Sequence, residues 1–307
     1  IIMKGLILKS TGSWYEVEGE DKEIYAARMR GKIRLDGIKE TNPVAVGDYV
    51  LLQIEKDKEG IITEILPREN FISRQSVKKT GHAHIIAANI DQALLVVTWA
   101  KPRTSLGFID RFLVAAESFR IPQIIVFNKE DLLNDEERKE IENLISLYSG
   151  LNVKCILLSA KNDEVTQLLF PILHNKKTLF SGHSGVGKST LINQLGNIKQ
   201  KTSLISDFSS KGIHTTTFAK MFSLNENTYI IDTPGIKELG LVDISEEELS
   251  DYFIEMRELR LSCKFGSRCL HHHEPSCAVK EAVSTGKIAQ SRYSNYLSML
   301  LGEDNRK

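Results

Sequence analysis

Residues 182–189, "GHSGVGKS", have the types and spacing that hold a polyphosphate. Glycines let backbone N–H groups approach phosphate oxygens without a Cβ in the way. A helix opening at the lysine adds partial positive charge. Lys188 would reach the β- and γ-phosphates and serve catalysis, and Ser189 would ligate Mg²⁺. The candidate phosphate cradle is Gly182, His183, Ser184, Gly185, Val186, Gly187, Lys188, Ser189 and Thr190.

Three further motifs belong with it. "DTPG" (232–235) offers Asp232 to Mg²⁺ and the Gly235 amide to a γ-phosphate. "NKED" offers Asn128, Lys129, Glu130 and Asp131. An Asp131 carboxylate can accept from both N1–H and the 2-amino group of guanine. Adenine lacks that donor pair, which disfavours an ATP-using P-loop kinase. Asn128 would brace the loop, and the Lys129 stem would cover the base. "SAK", at Ser159, Ala160 and Lys161, suits backbone support of guanine O6. Each motif ends a predicted strand, where open parallel sheets bind ligands. The base loop precedes the phosphate loop, so the order is that of a circularly permuted GTPase. Such re-cutting keeps the sheet when the old termini lie close together.

"GIHTTT" (212–217) falls between the phosphate-loop helix and the "DTPG" strand, where switch I belongs. Thr216 is the expected Mg²⁺ ligand there, with Thr215 and Thr217 open. Ile236 occupies the position at which Ras-like enzymes carry a water-orienting glutamine. Isoleucine cannot orient water, so slow intrinsic turnover completed by a partner is expected.

Three of the four cysteines cluster as Cys263-x₅-Cys269-x-His271-x₅-Cys277, with His272 and His273 adjacent. Three thiolates and one imidazole suit a four-coordinate structural zinc. Cys155, in "VKCILLSA", reads as a buried strand residue.

The elements positioning these groups change rhythm along the chain. Residues 3–72 carry short β-branched and aromatic runs with turn punctuation, a pattern of small barrels, with the OB-fold the natural guess. From 85 to 235, apolar strands alternate with helical stretches, which predicts a mostly parallel sheet with helices on both faces. Beyond 245, "ISEEELSDYFIEMREL" predicts one helix, followed by the Cys/His segment and a helix near 288–301. The expected domains are 1–72 (barrel), 73–240 (α/β P-loop GTPase) and 241–307 (mainly helical, zinc-binding).

Net charge is zero over 307 residues, so any nucleic-acid contact must be local; "RQSVKKTGHAH" (74–84) is the best basic candidate. No apolar run approaches the roughly 18 residues that span a membrane. A cytoplasmic monomer is expected, with its native start at Met3.

Together, "GHSGVGKST", "GIHTTT", "DTPG" and "CLHHHEPSCAV", flanked by a barrel, resemble the ribosome small subunit-dependent GTPase A (RsgA/YjeQ) family over essentially the whole chain. The resemblance implies an N-terminal OB-fold, a C-terminal zinc domain, and a role in late maturation of the small ribosomal subunit. Subunit and rRNA binding, and hydrolysis of GTP to GDP stimulated by the subunit, are expected with it. It makes His214 a candidate catalytic residue and selects His271, before "EPSC", as the zinc ligand. The five residues between Cys263 and Cys269 exceed the family's usual four. A zinc domain levered by switch II is a further expectation. The alternative is a nucleotide-gated rRNA-binding module whose hydrolysis is incidental.

Overall fold

Alternating apolar and polar residues close the first strands into a barrel. The structure is a computed structural model that describes residues 1–29, 44–75, 83–162, 164–200, 219–232 and 244–304. Strands β1 (Ile2–Ser10), β2 (Tyr15–Gly19), β3 (Ile24–Met29), β4 (Tyr49–Ile54) and β5 (Glu59–Ile65) run in the order β1-β2-β3-β5-β4. β4 returns to pair with β1, and β3 and β5 are parallel. Every second residue points inward: Tyr15 and Val17, Tyr25 and Ala27, Val50 and Leu52 fill one core. This closed OB-like barrel is the one expected from the sequence.

An antiparallel ribbon, β6 (Phe71–Gln75) with β7 (Ala83–Ala88), leads to the central sheet. That sheet contains β8 (Gln92–Thr98), β9 (Gln123–Asn128), β10 (Lys154–Leu157), β11 (Lys177–Ser181), β12 (Lys220–Asn225) and β13 (Thr228–Asp232), ordered β10-β9-β8-β11-β13-β12. Only β12 is antiparallel to its neighbour β13. β8 and β9, at the middle of the sheet, are buried at every residue because both faces are covered. Leu95 and Val97 pack against α1 (Leu106–Ser118) and α2 (Asp135–Gly150). Leu94 and Val96 pack against α3 (Val165–Leu173) and α4 (Lys188–Gln200) on the other face.

β1 also pairs with β12 at Lys9 and Lys220, so the barrel and central strands form one 11-stranded sheet. At the seam, the Tyr229 hydroxyl donates to Glu18 (2.5 Å), which also takes Lys22 Nζ (3.0 Å).

The C-terminal region corrects one expectation. Instead of one helix after 245, there are two short ones, α5 (Glu246–Leu249) and α6 (Ile254–Arg257). Phe253 breaks them with extended backbone (φ −92°, ψ 102°), and its ring meets Tyr296 edge-on. Arg257 Nε donates to the Asp251 carbonyl (2.8 Å) across the break. Helix α7 (Ala278–Ser284), absent from the sequence reading, and α8 (Gln290–Leu300) complete the region. Its core includes Val114 of α1. Beside it, Arg292 of α8 is buried and binds Asp110 of α1 (2.6 Å) and both oxygens of Glu255 (2.7 and 3.0 Å). Tyr148 and Asn295 also donate to Asp110 (2.9 and 2.6 Å).

Cys155, expected buried, is half-buried on β10, an edge strand of the sheet. Among the described residues, no helix is long and apolar enough to cross a membrane.

Candidate functional site

The carboxyl ends of β8, β9 and β11 lie side by side, because Thr98 pairs with Asn128 and Ser181 with Leu95. The loops leaving β9, β10 and β11 converge there, and one side chain ties them. Asn128 is buried; its Nδ2 donates to the Val186 carbonyl (2.8 Å), and its Oδ1 accepts from the Ala160 amide (2.8 Å). The phosphate, base and base-support motifs thus share a single amide group.

The phosphate loop needs its glycines where it approaches Asn128. Gly187 has φ +92°, and a Cβ there would strike the Asn128 amide nitrogen. Gly185 has φ +83°, also a left-handed conformation that costs a side chain. Helix α4 opens at Lys188, so its first amides face the loop's concavity. Lys188 Nζ contacts the Asp232 carboxylate at the end of β13, both mostly shielded from solvent. Ser184, Gly185, Ser189 and Thr190 are exposed, while the His183 ring packs on Phe108 of α1 (centroids 3.7 Å).

In the base loop, Lys129 adopts a left-handed backbone (φ +67°), and a short 3-10 turn at Glu130–Leu132 follows. Asp131 accepts from the Ser159 hydroxyl (2.5 Å) and Lys161 Nζ (3.1 Å). Those hydrogen bonds lower the carboxyl below its ordinary value and hold both of its oxygens in place. Glu130 pairs with Arg138 (2.7 Å) on α2, and its amide donates to the Leu158 carbonyl (3.1 Å).

The second cluster is buried in the C-terminal region. Cys263, Cys269, His271 and Cys277 place their ligand atoms within 4.8 Å of one another. His271 Nδ1 lies 3.6 Å from Cys263 Sγ and 3.3 Å from Cys277 Sγ, and those two sulfurs are 3.8 Å apart. A tetrahedral zinc with Zn–S near 2.3 Å has S···S edges of about 3.8 Å and S···N edges of about 3.6 Å. The four residues therefore fit such an ion. Burial pushes the Cys269 thiol up to about 12 and His271 down to about 4, leaving the imidazole neutral, the form that ligates. The rings of His272 and His273 lie against each other at a tilt of 32° (centroids 3.6 Å) and are not among the four clustered groups.

The His271 turn is over-determined. Its backbone is left-handed (φ +55°). Glu274 accepts from the amides of Leu270 (2.8 Å) and His272 (2.9 Å). The Tyr293 and Tyr296 hydroxyls donate to the carbonyls of His271 (2.6 Å) and Leu270 (2.8 Å). Sequence reasoning missed these supports, and only Glu274 had a local signal, lying two residues past His272.

Thus Asn128, Lys129, Glu130, Asp131, Ser159, Ala160, Lys161, residues 182–190 and Asp232 occupy one end of the sheet, and the four metal-ligand candidates form a second site. His214, Thr215, Thr216, Thr217, Gly235, Ile236 and most of the basic stretch 74–84 lie outside the described residues.

Comparison with known proteins follows the same outline. Residues 65–242 match the family described as RsgA GTPase, and residues 4–62 match the RsgA N-terminal domain. The chain is 51% identical to the small ribosomal subunit biogenesis GTPase RsgA of Cytophaga hutchinsonii, over 99% of this chain and 100% of that protein. It is 48% identical to small ribosomal subunit biogenesis GTPase RsgA 2 of Bacteroides thetaiotaomicron, over 99% and 98% respectively. The crystal structure of YjeQ from Thermotoga maritima superposes with TM-score 0.80 at 34% identity, covering all of both chains. YloQ, described as a circularly permuted GTPase, gives TM-score 0.76 at 32% identity, over 100% of this chain and 96% of that one.

Proposed function

The chain belongs to the RsgA GTPase family, and from that membership we propose that it is a GTPase assisting maturation of the small ribosomal subunit, its hydrolysis stimulated by the subunit. The enzyme hydrolyses GTP on a permuted fold. The observation that carries the site assignment is Asn128, whose one amide group joins the base, base-support and phosphate loops.

Each residue then has a task. Asp131, held ionised by Ser159 and Lys161, accepts from the guanine edge. Ser159, Ala160 and Lys161 support O6, and the Lys129 stem lies over the ring. Residues 182–190 wrap the phosphates, with Lys188 turning from Asp232 towards the β- and γ-oxygens. Ser189 and Asp232 hold the Mg²⁺ that accompanies GTP, with Thr216 completing the set and the Gly235 amide sensing the γ-phosphate. Bound Mg²⁺ would neutralise charge developing on the phosphates. His214 is the proposed catalytic side chain of switch I. Ile236 cannot orient water, which supports turnover that waits for the subunit.

Cys263, Cys269, His271 and Cys277 hold one structural zinc. The partners are the small subunit and its rRNA, and the setting is the cytoplasm of a cell in which this monomer meets assembling subunits.

Two measurements test this reading. Competition binding should show GTP and GDP displacing a labelled guanine nucleotide, with ATP failing to do so. Co-sedimentation should retain the protein on small subunits with a non-hydrolysable GTP analogue and release it with GDP. Equal competition by ATP would overturn the base reading; retention independent of nucleotide would overturn the cycle.

A further inference from the structure

Residues 99–104 follow β8 and belong to none of the nucleotide motifs, yet they touch two of them. The Lys101 carbonyl accepts from Lys129 Nζ at 2.6 Å. Pro102 Cδ lies 3.6 Å from where a Cβ on Gly185 would sit. The loop emerges beside the base loop because Thr98 and Asn128 are cross-strand partners.

Its shape is fixed from within. The Thr104 amide donates to the Thr98 carbonyl (2.8 Å), and the Thr98 amide donates to the Thr104 hydroxyl (3.2 Å). The Thr98 hydroxyl donates to the Pro102 carbonyl. Thr98 and Thr104 are each 1% exposed. Outside, the Trp99 indole donates to Glu140, and the Arg103 guanidinium lies 3.9 Å over its ring.

A lysine stem loses considerable rotamer freedom when it must lie flat over a base. A carbonyl that already holds the ammonium removes part of that loss before the nucleotide arrives. We propose that residues 98–104 are a positioning loop for the nucleotide: the Thr98–Thr104 closure fixes the Lys101 carbonyl, which fixes Lys129 over the base. Thr104 acts through Lys129 and is a positioning residue. Because the Lys129 stem meets the face of any purine, the loop sets affinity, while Asp131 sets base choice. This inference rests on the guanine-nucleotide reading of the site.

The test is a double-mutant cycle read by GDP binding and release in the full chain. Thr104→Val should raise the GDP Kd about fivefold, mainly through faster release, the size of one lost hydrogen bond. Thr104→Ser, which keeps the hydroxyl, should bind like the wild type. The ratio of GDP to inosine diphosphate affinity should not change. In a Lys129→Ala background, Thr104→Val should change the Kd by less than about twofold, as expected when one residue acts through the other. Should Thr104→Val misfold, Thr98→Val, which removes the hydroxyl on the Pro102 carbonyl, replaces it in the same cycle. Wild-type affinity in the valine variant, or an equal loss in both backgrounds, would overturn the proposal. A wild type that fails to bind GDP overturns the nucleotide reading itself, and the loop's role with it.

Discussion

Asp131 is an acceptor-only carboxylate whose two oxygens face donors from Ser159 and Lys161. Its charge and its aim are therefore set before any base arrives. Replacing Asp131 by Asn puts an amide donor against the donors of guanine. GTP affinity should fall on the order of 10³-fold, while xanthosine triphosphate, with an acceptor at position 2, should gain. Competition binding of the two nucleotides reads the exchange directly. Asn128 makes a different prediction, because it touches loops rather than the base edge. Asn128→Ala strands the buried Ala160 amide and Val186 carbonyl. Affinity for every purine nucleotide should drop on the order of 10²-fold, without a change of base preference. At this scale, Lys188, Asp131 and the cysteines were legible because local motifs name their chemistry. The double role of Asn128 was only half legible, since its partners are 32 and 58 residues away. The supports of His271 from Tyr293 and Tyr296 had no local signal at all, being more than a helix away along the chain.

Among elements, α1 is the common neighbour of both sites. Its Phe108 packs on His183 of the phosphate loop, while its Asp110 binds Arg292 of the C-terminal region. The Arg292 guanidinium is 3% exposed and meets two carboxylates, so removing it leaves two largely buried carboxylates without their cation. Arg292→Ala should lower stability by about 3–5 kcal/mol, whereas joint replacement by Asp110→Asn, Glu255→Gln and Arg292→Met should recover much of it. Thermal unfolding of the variants separates the two. The metal site makes a regional prediction. Chelation, or Cys277→Ser, should expose amides across 259–300 to hydrogen exchange while those of β8, β9 and β11 stay protected, and the native protein should carry one zinc per chain. Strands β8, β9, β11 and β13 were readable because burial on both faces leaves uninterrupted apolar runs. The break at Phe253 was not. Leu249, Phe253 and Met256 have helical spacing, and only packing on Tyr296 and Arg292 chooses the extended backbone.

For the molecule as a whole, the two flanking regions attach to different parts of the central domain. β12, the first described strand after the phosphate-loop helix α4, pairs with β1 of the barrel. The described chain from residue 244 onward forms the region that Arg292 clamps to α1. Barrel and C-terminal region are thus joined to the central domain at two places, the β1–β12 pair with its Tyr229–Glu18 contact and the buried Arg292 network. This dual attachment could not be read from the sequence, because strand order and helix docking depend on contacts between distant segments. The most direct measurement is the GTP hydrolysis rate of the full chain with and without purified small ribosomal subunits, with Lys188→Ala as the blank. Turnover should be slow alone, rise on the order of 10²-fold or more with subunits as a partner completes the site, and not rise in the blank. An unchanged rate on subunits that demonstrably bind the GTP form would contradict stimulated hydrolysis, leaving a nucleotide-gated binding module in its place.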